Sequence, residues 1–500
     1  MKREAGILLS VTSLPSNHGI GCFDQAAYDF VDWLADAGQT YWQILPLGST
    51  GHLDAFDSPY QAYSAFAGNP YFISLDALVE EGVLSAREVE AADFGALPGK
   101  VSYEKLYENR LPLLRKAYER TGISKIPAYQ QFLMENGWWL EDYALFIAVR
   151  QFFGNQPWQC WPEDIRMHYG FALDYYREKL YFDVEFQKYL QFKFWEQWSR
   201  LKKYANERNI EIVGDIPIYV SPDSSDVWAH PALFQLDANN AATQIAGCPP
   251  DNFSAEGQVW GNPLYRWDVH RDQGYHWWVT RMWYSFKLFD AVRIDHFRGF
   301  DEYFSIPAAS AKAKDGHWEK GPGMELFNTL AAHLGQRKII AEDLGLMTDG
   351  VRKLVADSGY PNMKVLQFAF DPADVAGMND YLPHNHAPNS VVYTGTHDNE
   401  TLCGWFTGLS EEEQALVRNY LMDHTTPAGE MHRKLITVAL GSCSRICVVP
   451  VQDWLGLDNS ARMNAPGTVD VNWRWRLLPG QLTEALAEEV RILTHRYGRG

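Results

Sequence analysis

The chain has 500 residues, 46% of them apolar and 21% charged, which describes a soluble globular protein with ample material for a core. Its net charge of −19 argues against nucleic acid or an anionic membrane as the main partner and suits a neutral substrate. Length alone suggests about three domains, yet a barrel with insertions can use this much chain in one unit.

The start, MKREAGILLS, lacks the apolar stretch of a signal peptide, and no apolar run is long enough to cross a bilayer. Cys22, Cys160, Cys248, Cys403, Cys443 and Cys447 stand far apart with no C-x-x-C pair, so they read as reduced thiols rather than disulfides or a zinc site. The cytoplasm is the expected compartment, and no protein partner is predicted. Sequons at Asn252-Phe253-Ser254 and Asn399-Glu400-Thr401 fall in segments assigned to the site below, so glycosylation is not expected there.

Short apolar segments alternate with helical patterns along the chain, the signature of parallel β/α units. Strands are predicted at 6–11, 41–45, 210–218, 289–295, 338–342, 363–370, 390–396 and 445–451. Eight strands are the number that closes a (β/α)8 TIM barrel. Helix 26–37 joins the first two strands, 348–358 joins the fifth and sixth, and 411–422 precedes the eighth. A final helix, 483–497, is followed by no strand-patterned sequence, so no C-terminal β-sandwich domain is expected.

The expected organisation is one catalytic barrel over 1–500. Residues 47–209, between the second and third strands, are far more than an ordinary connection and carry helical pattern at 103–118, 138–153 and 185–206. They are predicted to form a mostly helical insertion over the carboxyl face. The turn-rich run Pro249-Pro250-Asp251-Asn252-Phe253-Ser254-Ala255-Glu256-Gly257-Gln258 leads into Val259-Trp260-Gly261, so 249–265 reads either as a lid loop over the site or as an ordinary surface loop.

Arg293-Ile294-Asp295-His296-Phe297-Arg298-Gly299 reads as a buried strand and its carboxyl end. Side chains alternate along a strand, so Arg293 and Asp295 point the same way, and a guanidinium beside a carboxylate favours its ionised form. On this segment alone, a structural ion pair explains the pattern equally well. Further polar residues end other strands: Asp215 the third, Glu342 the fifth, His397 and Asp398 the seventh. An Asp after a strand is commonly a cap or a solvated charge, but four acids at the same end of one barrel point to a site. Asp343 alternates away from Glu342 and is read as structural. The aromatic excess, 19 Trp, 26 Tyr and 26 Phe, adds a weak pointer to flat-faced ligands such as sugars.

Converging carboxylates without metal-ligand spacing suggest glycosyl transfer, in which one acid stays ionised and another holds its proton. Asp295 beside Arg293 fits the first role. Glu342, after an apolar strand, fits the second, and Asp398 would stabilise oxocarbenium-like charge or grip hydroxyls. No metal or other cofactor is called for.

The chain resembles glycoside hydrolase family 77, the 4-α-glucanotransferases (amylomaltase, or disproportionating enzyme), nearly end to end. The resemblance runs through Ser58-Pro59-Tyr60-Gln61 and Ser64-Ala65-Phe66-Ala67-Gly68-Asn69-Pro70. It continues in Gly214-Asp215-Ile216-Pro217-Ile218-Tyr219-Val220 and Gly257-Gln258-Val259-Trp260-Gly261-Asn262-Pro263. The segments around Asp295, Glu342 and Asp398 follow, then Ala461-Arg462-Met463-Asn464 and Asn472-Trp473-Arg474-Trp475-Arg476. The resemblance implies Asp295 as nucleophile, Glu342 as general acid/base and Asp398 as transition-state stabiliser. It implies Ser58, Tyr60, Asp215, Gln258, Trp260, Arg293, His397 and Asn464 as sugar contacts, and a lid carrying Asp251 and Phe253. The implied substrates are maltooligosaccharides and other α-1,4-glucans. The chain departs from the family at Asp470-Val471, where relatives tend to carry Gly. Two other readings stand beside transfer: an α-amylase-like hydrolase, with water as acceptor, and a non-catalytic glucan-binding barrel.

Overall fold

The computed structural model describes residues 2–51, 57–95, 97–250, 256–310, 312–345, 347–374, 376–468 and 471–500. Among the described residues, twelve strands run in chain order as β1 (Glu4–Leu8), β2 (Tyr41–Gln43), β3 (Glu211–Pro217), β4 (Gln244–Cys248), β5 (Gln258–Pro263), β6 (Ala291–Asp295), β7 (Glu302–Pro307), β8 (His317–Lys320), β9 (Lys338–Ala341), β10 (Asn362–Val365), β11 (Ser390–Tyr393) and β12 (Ile446–Pro450). Eight close into a barrel in the order β1-β12-β11-β10-β9-β6-β3-β2. The strand pairs around it are parallel. Parallel barrel strands are covered on both faces, which is why β1, β11 and β12 are buried at every position and consist mostly of apolar residues.

Each expected barrel strand is present, with shifted ends. The sixth differs most: β10 stops at Val365 and Leu366–Phe368 turns as a 3-10 helix. The apolar run continues through that turn because Leu366 and Ala369 are buried as fully as the strand itself, so hydropathy alone could not mark its end.

A second sheet was not anticipated. It is antiparallel, ordered β5-β4-β7-β8, and pairs the segment after β3 with the segment after β6. It has its own small apolar cluster of Ile245, Phe304, Ile306 and Ala313. Its strands are short, β5 and β8 are partly exposed while β4 and β7 are buried along their middles, and the β4–β7 pairing is non-local, so they carry little periodic signal. Within the expected lid span, β5 occupies 258–263, while Asp251 and Phe253 lie outside the described residues.

Between β2 and β3 the long elements are helices: Tyr103–Thr121, Pro127–Phe152, Gly170–Lys179 and Tyr181–Glu207. The last of these reaches the barrel wall, where the Trp198 indole donates to the Leu288 carbonyl at 3.0 Å and the Tyr204 hydroxyl donates to Asp32 at 2.8 Å. At the other terminus, helix Glu484–Arg496 is capped by Thr483, and the Trp33 indole donates to the Thr483 carbonyl at 3.1 Å. Among the described residues no strand follows β12, and no helix is long and apolar enough to cross a membrane.

Register places the polar residues. Asp215 on β3 lies opposite Arg293 on β6, and Ile294 pairs with Ala341 on β9, which sets Glu342 level with Asp295. Gly214 keeps β3 in place, because a Cβ there would stand 2.2 Å from the Phe289 ring. Gly214→Ala is expected to lose about 1–3 kcal/mol of stability through this overpacking. Denaturant unfolding measures it, and an unchanged midpoint would show that Phe289 has room to give.

Candidate active site

Four barrel strands, the segment after β12 and the inserted segment supply one cluster of polar side chains at the carboxyl end. Arg293 is its hub. One guanidinium nitrogen donates to both Asp215 oxygens at 2.7 and 2.6 Å, the other to Asp295 Oδ1 at 2.9 Å, and Nε points at Met363 Sδ 3.3 Å away. Arg293 and Asp215 have side chains only 3% and 0% exposed, whereas Asp295 keeps 29% of its side chain open. The buried pair is therefore a floor, and Asp295 stands on it facing the cleft.

The Tyr60 hydroxyl, from the inserted segment, donates to Asp215 Oδ2 at 2.7 Å. Burial, and then the Asp215 charge, hold its phenol well above the usual range, so it remains a donor. Its ring stacks on His397 at 5.1 Å between centroids, and Trp473 packs beside both rings at 5.7 and 5.9 Å.

Glu342 sits just past β9 and is 8% exposed. Its Oε2 accepts from the His296 N–H at 2.6 Å and its Oε1 from the Leu344 N–H at 2.9 Å. His296 is left-handed at φ 56°, a conformation that costs about 1–2 kcal/mol for a residue with a Cβ; the turn it makes directs its N–H at Glu342. Burial first, and the Asp295 charge second, push the Glu342 carboxyl up to about 8, against the pull of Arg293 and the two N–H groups. Burial also raises Asp295, with Arg293 opposing. Because Arg293 touches Asp295 directly, it favours ionisation there more than at Glu342.

Asp398 is held differently. Burial alone would raise its carboxyl, but His397 at 3.3 Å and the Asn464 amide at 2.6 Å outweigh it and bring it down to about 2. His397 is raised in turn, since Asp398 overcomes the effect of burial. Each group thus favours the charged form of the other across 3.3 Å.

Of the residues marked from sequence, Asp215, Arg293, Asp295, Glu342, His397, Asp398, Asn464 and Tyr60 come together in this cluster. The Ser58 hydroxyl accepts from the Tyr60 N–H at 3.3 Å, inside its own turn, so it props Tyr60. Gln258 accepts from the Trp260 indole at 3.1 Å, and Trp260 meets the His296 ring edge-on at 4.8 Å. Asp343 accepts from the Asn362 side chain at 2.9 Å and the Met363 N–H at 3.1 Å, which ties β9 to β10. Sequence reasoning passed over Arg462 and Trp473, although both lie inside motifs it singled out. Of possible cation ligands among the described residues, His18, Asp24 and Asp76 bring donor atoms within 4.8 Å of one another. There Arg110 opposes a cation, for its charge lowers the His18 imidazole, after burial.

A cluster of acids at the carboxyl end of a (β/α)8 barrel, one raised and another lowered, fits a class of barrel enzymes of glycosidic-bond chemistry. The family profile for glycoside hydrolase family 77, described as 4-alpha-glucanotransferase, matches residues 9–482. The 4-alpha-glucanotransferase of Streptococcus pneumoniae is 48% identical over 100% of this chain and 98% of its own. That of Thermus thermophilus is 44% identical over 99% and 98%. Among solved structures, amylomaltase from Streptococcus agalactiae in complex with acarbose superposes at a TM-score of 0.96 with 40% identity, covering 100% of both chains. The chain belongs to family 77, and its enzyme class is 4-α-glucanotransferase.

Proposed function

We propose that the enzyme is a retaining transferase that moves α-1,4-glucan segments from one maltooligosaccharide or starch-type glucan to the 4-hydroxyl of another sugar, with glucose release and cyclic glucans as side reactions. An Asp295 oxygen attacks the anomeric carbon while the glycosidic C–O bond breaks and Glu342 gives its proton to the departing 4-oxygen. In the second half, the Glu342 carboxylate takes the proton of the acceptor 4-hydroxyl, which attacks the same carbon and frees Asp295. Asp398 stabilises the positive charge that develops on the sugar ring in both halves. The observation that carries this reading is the contrast between Glu342, pushed up to about 8, and Asp295, in direct contact with Arg293.

Tyr60, Asp215, Arg293, His397 and Asn464 would line the sugar at the point of cleavage, with Ser58 behind Tyr60 and Gln258 behind Trp260. The inserted segment 47–209 acts in this scheme as a subdomain that carries Tyr60 to the barrel mouth. Acarbose, a sugar-like ligand in the Streptococcus agalactiae amylomaltase, is compatible with such a cleft. Six free cysteines suit a reducing cytoplasm.

Water competes for the ester on Asp295 at about 55 M, whereas a well-positioned acceptor reaches effective molarities on the order of 10⁵ M. Maltotriose should therefore give glucose and products longer than maltotriose at a constant number of reducing ends. A rise in reducing ends without longer products would replace transfer with hydrolysis. Trp260 is proposed to stack on the acceptor, so Trp260→Ala should lower the ratio of transferred to hydrolysed glucan roughly two- to tenfold, the worth of one aromatic contact. If both rates fall together, acceptor positioning lies elsewhere.

A further inference from the structure

We propose that Arg462 is a positioning residue for Asp398, clamping both the backbone that carries this carboxylate and the asparagine that holds it. Asp398 lies in a turn beyond β11, outside the barrel ladder, and 41% of its side chain is exposed. The turn's own bonds are local: the Asp398 N–H donates to Thr396 Oγ1 at 3.2 Å, and Asn399 Oδ1 accepts from the Thr396 N–H at 2.8 Å. Bonds of this kind shape a turn without aiming a carboxylate at a cleft.

The aim comes from the segment after β12. Asn464 donates its side-chain amide to Asp398 Oδ1 at 2.6 Å and its main-chain N–H to the His397 carbonyl at 3.0 Å. Arg462 then binds both halves of that pairing. One terminal nitrogen donates to the Asp398 carbonyl at 2.7 Å, and Nε donates to the Asn464 carbonyl at 2.8 Å. A guanidinium is flat and its donors have fixed directions, so binding two carbonyls at once sets the spacing between the two chains. The spacing so fixed is the one across which Asn464 reaches Asp398.

An ammonium group is a point charge with freely rotating donors and cannot impose such a spacing. Of the charged groups that face Asp398, Arg293 and Asp295 are fixed by their bond to each other and Arg293 by its bonds to Asp215, while His397 belongs to the turn and stacks on Tyr60, so a change at Arg462 falls on the turn.

The inference rests on the reading that Asp398 acts at the transition state, and the experiment separates the two. Maltotriose disproportionation is measured for wild type, Arg462→Met, Arg462→Lys, Asp398→Asn and the Asp398→Asn/Arg462→Met double variant, each checked by thermal unfolding. Arg462→Met is expected to lower kcat roughly 10- to 100-fold with KM changed less than about threefold, because an interaction made only in the transition state is weakened. Arg462→Lys should recover no more than a small part of that loss. In the Asp398→Asn background the same Met substitution should cost less than about twofold, since it acts through a carboxylate already removed.

An equal fold-loss in both backgrounds, a change confined to KM, or full recovery with lysine would overturn the positioning role. Near-native activity of Asp398→Asn by itself would instead overturn the reading of Asp398. Should Arg462→Met not fold, Arg462→Lys carries the same test, with the Asp398→Asn/Arg462→Lys double variant completing the cycle.

Discussion

Asp295→Asn is expected to lower kcat for maltotriose disproportionation by about 10⁴- to 10⁶-fold, equivalent to roughly 5.5–8 kcal/mol of transition-state stabilisation. The amide keeps the shape of the carboxylate and can still accept from Arg293, but its oxygen is too weak a nucleophile to form the sugar ester. The fold should survive, because Arg293 retains both bonds to Asp215 and stays a paired buried cation. A second consequence follows from charge. Asp295 is one of the groups that push Glu342 upward, so in the variant the Glu342 carboxyl should titrate lower than about 8. Turnover, thermal unfolding and titration of the Glu342 carboxyl check the three expectations. Near-native turnover in a preparation free of other glucan-active enzymes would remove Asp295 from the role.

Glu342→Gln should reduce transfer from maltooligosaccharides by about 10²- to 10⁴-fold, the range of a lost general acid. The departing sugar oxygen is a poor leaving group and needs the proton, whereas fluoride does not. With a maltosyl fluoride donor, the burst of fluoride release should stay within about tenfold of wild type, since general-acid help contributes little there. The sign of the pH dependence follows from the same carboxyl. Only the protonated form can act as acid, and burial with the Asp295 charge holds it protonated up to about 8. Rates with maltotriose should therefore decline as pH rises through that value, and fluoride release should lack this alkaline limb. Equal losses with both donors would assign the proton to another group.

Much of this site is legible in the sequence, for local reasons. Arg293 and Asp295 are two residues apart on a strand, so alternation alone sets them on one face, and the structure joins them at 2.9 Å. Glu342 and Asp343 are adjacent and must diverge: the first joins the cluster, while the second ties down β10. The barrel was legible because its eight strands are apolar enough to stand out between amphipathic helices. Strand ends and pairing suggest roles for Asp295, Glu342 and Asp398, which the family resemblance sharpens, and the resemblance alone implies the individual sugar contacts; the Arg293–Asp295 segment by itself leaves a structural ion pair standing.

Other features had no local signal to read. Tyr60 meets Asp215 across 155 residues, and Arg462 meets Asp398 across 64. The antiparallel sheet joins β4 to β7 across some sixty residues, through short strands buried along their middles without alternation. Composition and hydrophobic period by themselves determined a core, a barrel and the end of it where acids collect, because each depends on the order of neighbouring residues along the chain. Only the tertiary structure supplied the contacts behind the roles of those acids: the two N–H groups on Glu342, the His397 and Asn464 side chains on Asp398, and the Arg462 bond to the Asp398 carbonyl. Those that join distant segments come into being, together with desolvation, only when the barrel closes and its register brings the segments face to face.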